Sequence, residues 1–205
     1  MPPYFSIELT FPYRSLTSSF VRDFYSTLFS KYPYKSGFWN SKSNTIEEII
    51  KWNQQLLENK FVLGFDEHVK NNYKQILLMS DTFSELRHFW SYSRNEIRGT
   101  ILIPEFDVLV DEDVWKFSGK CFDEIKDFCE WIWVKSSIET LQSCLEMDGG
   151  PINTDKIKAG IQPSTNPISI VDKKIFKNLK GIKESIVIET AEKNGVMMID
   201  QRLLE

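Results

Sequence analysis

The sequence predicts an α+β fold: an antiparallel sheet packed against amphipathic helices, with a C-terminal β-hairpin. Three observations carry this. Phe5, Ile7, Leu9 and Phe11 alternate with Ser6, Glu8 and Thr10, the period of a half-buried strand. Two later stretches, 16–28 and 121–133, repeat their apolar residues at helical spacing instead. Near the end, "ESIVIETAEKNGVMMIDQ" is two apolar runs around Asn194-Gly195, the strongest hairpin signal in the chain.

The elements follow in order. After the first strand, "SLTSSFVRDFYSTLFSKYP" sets Leu16, Phe20, Phe24 and Leu28 in helical register and is stopped by Pro33. "YKSGFWNSKSN" is expected as a loop bearing the aromatic pair Phe38 and Trp39. Thr45, three residues before Glu48, forms a capping box and opens a helix to about Glu58. Its buried face is expected to be Ile46, Ile49, Ile50, Trp52, Leu56 and Leu57. "FVLG" and "QILLM" read as short strands, "DTFSELRHFWSYS" as a helix capped by Asp81, and "EIRGTILIP" as a strand stopped by Pro104.

In "KCFDEIKDFCEWIWV", helical spacing puts Cys121, Phe122, Ile125, Phe128, Cys129, Ile132 and Trp133 on one face. Asp123, Glu124, Asp127 and Glu130 fall on the other, with Trp131 at its edge. Ser136 with Glu139 repeats the capping-box pattern and marks a second helix carrying Ile138, Leu141 and Leu145. "DGGPINTDKIKAGIQPSTNP", with three Gly and three Pro, reads as a long loop over about 148–168 with a short helical turn. The whole is read as a single α+β domain, 1–205.

Fifteen Phe, seven Tyr and six Trp among 205 residues supply ample apolar surface to bury, which excludes a disordered chain. The three cysteines have no CxxC spacing and are expected as free thiols of a reducing compartment. "MPPYFSIELTF" lacks a basic leader, and no stretch approaches the roughly 18 apolar residues of a membrane span. A cytoplasmic location, away from the membrane, is expected.

The net charge of −4 is unevenly spread. Residues 105–148 hold twelve Asp/Glu against four Lys/Arg, a local −8. The block opens with "EFDVLVDEDVWKF", which carries Glu105, Asp107, Asp111, Glu112 and Asp113 before its first lysine, Lys116. Such a block repels phosphate backbones and attracts basic surfaces, so nucleic acid is not an expected partner.

The motifs of several chemistries are missing. The acidic stretch has neither the central Gly nor the terminal Glu of a calcium loop. His68 and His88 stand twenty residues apart and outside any zinc spacing. There is no GxSxG elbow, P-loop or GxGxxG. Neither a metal nor a cofactor is expected, and no catalytic residue is assigned.

A protein partner remains. Carboxylates steer association, and an aromatic side chain anchors it. The expected partner-binding residues are Glu105, Asp107, Asp111, Glu112, Asp113, Asp123, Glu124 and Asp127, with Trp115 and Trp131 as anchors. The carboxylates are expected to face water in the free protein and to meet their opposite charges on the partner.

A resemblance sharpens this reading. The strand and turn "YFSIELTFPYRSL", the helix "SSFVRDFYSTLFSKYP" and the Trp loop with its helix, "SGFWNSKSNTIEEII", are similar to the opening of a family of bacterial immunity proteins. These are the inhibitors encoded beside polymorphic toxins of contact-dependent or type VI delivery systems. The resemblance covers about the first 60 residues. It implies a protein that binds and neutralises a cognate toxin domain, commonly a nuclease with a basic groove. Two alternatives stay open: a hydrolase using Asp111, Asp113 or neighbouring carboxylates, with or without a divalent metal, and a structural protein that self-associates through its aromatics, for instance as a homodimer.

Overall fold

The structure, a computed structural model, describes residues 3–63, 71–111 and 115–205, with the backbone alone at Asp111. The elements are β1 (Tyr4–Pro12), α1 (Phe20–Phe29), β2 (Tyr34–Gly37), α2 (Ile46–Glu58), β3 (Ile76–Leu78), β4 (Leu86–Ser93) and β5 (Glu96–Pro104). They continue with α3 (Glu105–Val108), β6 (Leu109–Asp111), β7 (Lys116–Phe117), α4 (Gly119–Lys135), β8 (Thr140–Cys144) and α5 (Thr154–Lys158). The last are β9 (Ile168–Asp172), α6 (Lys173–Phe176), β10 (Ile186–Ala191) and β11 (Gly195–Asp200). The fold is α+β on mostly antiparallel strands, as expected, and β10 and β11 form the C-terminal hairpin. The chain divides into two compact units, one of residues 10–102 and the other of residues 1–9 with 103–205.

In the unit of residues 10–102, the strands lie in the order β5, β4, β3, β2. The core is aromatic because α1 turns Phe24, Tyr25 and Leu28 inward, while Phe20 is half-buried. Phe11 meets Phe20 and Phe24 edge-on at 5.2 and 5.7 Å, and Phe24 meets Trp90 at 4.8 Å. The capping box at Thr45 and Glu48 is present. The helix it opens is rotated from expectation, however, and buries Ile49, Asn53, Gln54 and Leu57. The two amides are there to bond. Gln54 Oε1 accepts from Val21 N at 3.0 Å, an otherwise unsatisfied donor of the first turn of α1, and Gln54 Nε2 donates to Thr17 O at 2.8 Å. Asn53 Oδ1 accepts from Lys74 N at 2.7 Å, and Nδ2 donates to Lys74 O at 2.9 Å.

Three expectations for this unit are corrected. "DTFSELRHFWSYS" is not a helix, because Leu86, His88, Trp90 and Tyr92 alternate inward along β4. His88, a polar residue within this alternation, is fully buried. Arg94 and Asn95, at φ 51° and 63°, make a two-residue turn between β4 and β5 of the kind that matches strand twist. The loop "YKSGFWNSKSN" begins as β2. Residues 61–63 of the expected strand "FVLG" are irregular, and Gly64 and His68 lie outside the described residues.

In the other unit the strands lie in the order β10, β11, β9, β8, β1. Helix α4 is the amphipathic helix the spacing requires, burying Phe122, Ile125, Phe128, Cys129, Ile132 and Trp133. Ile157, Val171, Ile175, Ile186 and Met198 form a second apolar cluster. The helix expected after Ser136 is instead β8, whose five residues are all buried. Its polar side chains hold the following segment. Gln142 exchanges two hydrogen bonds with Ile152 and accepts from Ser164 N, and Ser143 Oγ bonds both N and O of Ile168. That segment contains α5, the expected short turn, and ends as β9 begins. Cys121, Cys129 and Cys144 are all free thiols.

The hairpin signal was sound but its glycine serves another purpose. The left-handed residues are Lys193 (φ 50°) and Asn194 (φ 58°), and Gly195 is the first residue of β11. A Cβ at Gly195 would stand 2.5 Å from Trp133 Nε1. Space, rather than backbone freedom, demands glycine there.

Candidate partner-binding surface

Helix α4 carries most of the described acidic positions. Asp123 and Asp127 are exposed, and Glu124 and Glu130 are half-buried. Asp127 and Glu130, one turn apart, face the same side. They line a groove of about 380 Å³ with Trp131, Val134 and Lys135. The opposite wall is Thr190, Ala191 and Glu192, from the end of β10 and its turn.

Two contacts fix this wall against α4. Trp133 Nε1 donates to Glu192 O at 3.1 Å, and Lys126 Nζ pairs with Glu189 at 2.7 Å. Trp131 is half-buried, its ring centroid 6.2 Å from that of Phe128. It therefore offers an apolar surface at the groove while resting on the core. Asp127, Glu130 and Glu192 have no ion-pair partner among the described residues, and Lys135 is the single cation in the lining. The groove is thus acidic around an indole.

The segment before α4 divides. Glu105 is not on the surface: it is 5% exposed, and its Oε1 accepts from Glu146 N at 2.9 Å. A carboxylate that binds the chain internally is removed from the docking set. Asp107 is half-buried, and its main-chain oxygen accepts from the Cys121 thiol at 3.1 Å. Glu112, Asp113 and the Asp111 side chain lie outside the described residues. Trp115 is exposed, at φ 53°, and Lys116 Nζ beside it donates to Arg202 O and Leu204 O. The stretch also exposes Phe106 and Val110, at 54% and 53%, which the reading of its charges passed over.

Val134, Glu189 and Glu192 are residues that sequence reasoning did not assign to the surface, and Glu130, read there on the acidic face, was not among the expected partner-binding residues. Glu189 and Glu192 follow α4 by more than fifty positions, and nothing in the local pattern links the hairpin to that helix.

Burial holds Cys144 and His88 in their neutral forms. Burial pushes the Cys144 thiol up to about 12, so it stays protonated at neutral pH and is no thiolate nucleophile. Burial lowers His88 to about 3, so its ring is neutral. Among the described residues no three His, Cys, Asp or Glu side chains converge to hold a metal ion, and no helix is long and apolar enough to cross a membrane.

No family model, curated protein or solved structure matches the chain.

Proposed function

We propose that this chain binds a basic protein partner on the acidic side of α4 and, in that role, neutralises a cognate toxin domain as a bacterial immunity protein. One observation carries the binding: three carboxylates with no ion-pair partner among the described residues, Asp127, Glu130 and Glu192, gather around the half-buried Trp131. Charges left in water cost the free protein little and raise the rate of encounter with an opposite surface. An indole already resting on the core loses little freedom when a partner covers it. The immunity role rests on the resemblance of the opening residues and on the acidity of the surface, which suits a toxin whose substrate groove is basic.

The test is co-expression with the C-terminal domain of the protein encoded immediately upstream. Growth arrest by that domain, relieved by this chain through a complex that survives purification, is the expected result. A domain that arrests growth equally with and without this chain would refute the immunity role.

A further inference from the structure

We propose that the free edge of β10 takes up an extended basic segment of the partner as an added β-strand, with alternate side chains of that segment entering the groove beside α4. This rests on the basic-partner reading above.

Strand β10 ends its sheet, with β11 on one side and no strand on the other among the described residues. The register shows what the edge offers. Gln201 N donates to Ser185 O at 3.1 Å, and the β10–β11 pairs run from Ile186↔Asp200 to Ala191↔Gly195. Pairs of odd-numbered β10 residues therefore exchange the ladder bonds. Ile188 and Thr190 point their N–H and C=O groups outward. Edges of this kind are usually blunted by Pro, Lys or a bulge. Residues 186–191 contain no Pro or Lys and pair in unbroken register, and Val187 and Ile188 are 42% and 48% exposed.

Charge selects the occupant. Side chains alternate across a strand, and the side of Glu189 and Ala191 is the side of α4: Glu189 pairs with Lys126, and Ala191 stands opposite Gly195, which Trp133 covers. An added strand would lie about 4.8 Å beyond β10. Every second side chain would point toward Asp127, Glu130, Glu192 and Trp131. Lysine or arginine at those positions meets three carboxylates, and the main-chain bonds supply affinity. A second copy of this chain is the wrong occupant. Residues 186–192 contain no basic side chain and two glutamates, so two β10 edges would bring like charges together.

The probe is a peptide of about eight residues, a usual strand length, alternating Lys with Thr and capped at both ends. It is titrated into the isotope-labelled full chain and followed by amide shifts and hydrogen exchange. Two comparison peptides carry Glu for Lys, or N-methyl groups along one edge. Ile188→Pro removes an outward N–H without breaking a ladder bond and is expected to keep the melting temperature. The expected result is slowed exchange at Ile188 and Thr190, with affinity falling about tenfold or more on N-methylation, on Ile188→Pro and on Glu-for-Lys exchange, a factor of ten being about 1.4 kcal/mol. Lys-peptide binding on the α4 face that ignores N-methylation and Ile188→Pro would overturn strand addition and leave the basic-partner reading standing. Equal binding of the Glu peptide, or no binding of the Lys peptide, would overturn both. A dimer in the free protein that already protects Ile188 and Thr190 would give the edge to a second copy and overturn the proposal.

Discussion

The indole of Trp133 occupies the space that a side chain at Gly195 would need, and its Nε1 donates to Glu192 O at 3.1 Å. This pair ties the C-terminal hairpin to α4 and so sets the width of the acidic groove. Gly195→Ala must push aside a buried ring or shift β11. A loss of about 1–3 kcal/mol is expected in urea unfolding, the usual cost of overpacking. An unchanged midpoint would mean that the hairpin is not seated on α4 in this way.

Gln54→Leu keeps side-chain volume but leaves Val21 N–H without its acceptor and leaves Thr17 C=O with Phe20 N–H as its remaining donor. Burying an unsatisfied polar group costs about 1–3 kcal/mol. Destabilisation in that range, with helix content retained by circular dichroism, is the expected outcome. No change would show that water replaces the amide.

The folded state holds His88 neutral, with its value lowered by burial to about 3. The unfolded chain takes up that proton near pH 6.5, so it binds more protons than the native state once pH falls below that value. Stability is full above about pH 6.5 and declines toward pH 3. One proton gives a slope of at most about 1.4 kcal/mol per pH unit. Urea midpoints between pH 7 and 5, above the ordinary carboxylate range, check this. A flat profile would contradict the buried neutral ring.

Thiol labelling separates the cysteines. Cys129 and Cys144 are buried, and Cys121 is half-buried. A maleimide at pH 8 is expected to modify at most Cys121 in the native protein and all three thiols in urea. Fast labelling of Cys144 would contradict a thiol held protonated by burial.

The legible parts of the fold were those with an unbroken period. The alternation at 5–11 buries Phe5, Ile7, Leu9 and Phe11 as expected, although Glu8 and Thr10 on the other side are buried too, and the helical face at 121–133 holds except at half-buried Cys121. β4 and β8 were hidden because their interiors are polar: His88 in one, and Thr140, Gln142 and Ser143 in the other. A buried polar side chain with a bonding partner looks, in sequence, like a surface residue. The rotation of α2 has the same cause in Asn53 and Gln54. At the candidate surface, the acidic face of α4 was readable from spacing, since charge and period agreed. The wall contributed by Glu192 was not, because it depends on Trp133 meeting a glycine sixty residues later. Glu105 shows the limit of counting charge, for a carboxylate in an acidic run can bond internally to a main-chain N–H.

The basic-partner account stands or falls on association kinetics. Asp127→Asn, Glu130→Gln and Glu192→Gln are combined in one chain, and binding to the proposed basic partner, tried as the C-terminal domain of the protein encoded immediately upstream, is timed at low and high salt. The three side chains have no ion-pair partner among the described residues, so the melting temperature is expected to hold or rise slightly. Association at low salt is expected to slow by about tenfold or more. The difference should narrow at high salt, where charges are screened within about 3 Å at 1 M. Equal association rates for the two proteins at both salt concentrations would contradict the account and remove the α4 groove from the interface.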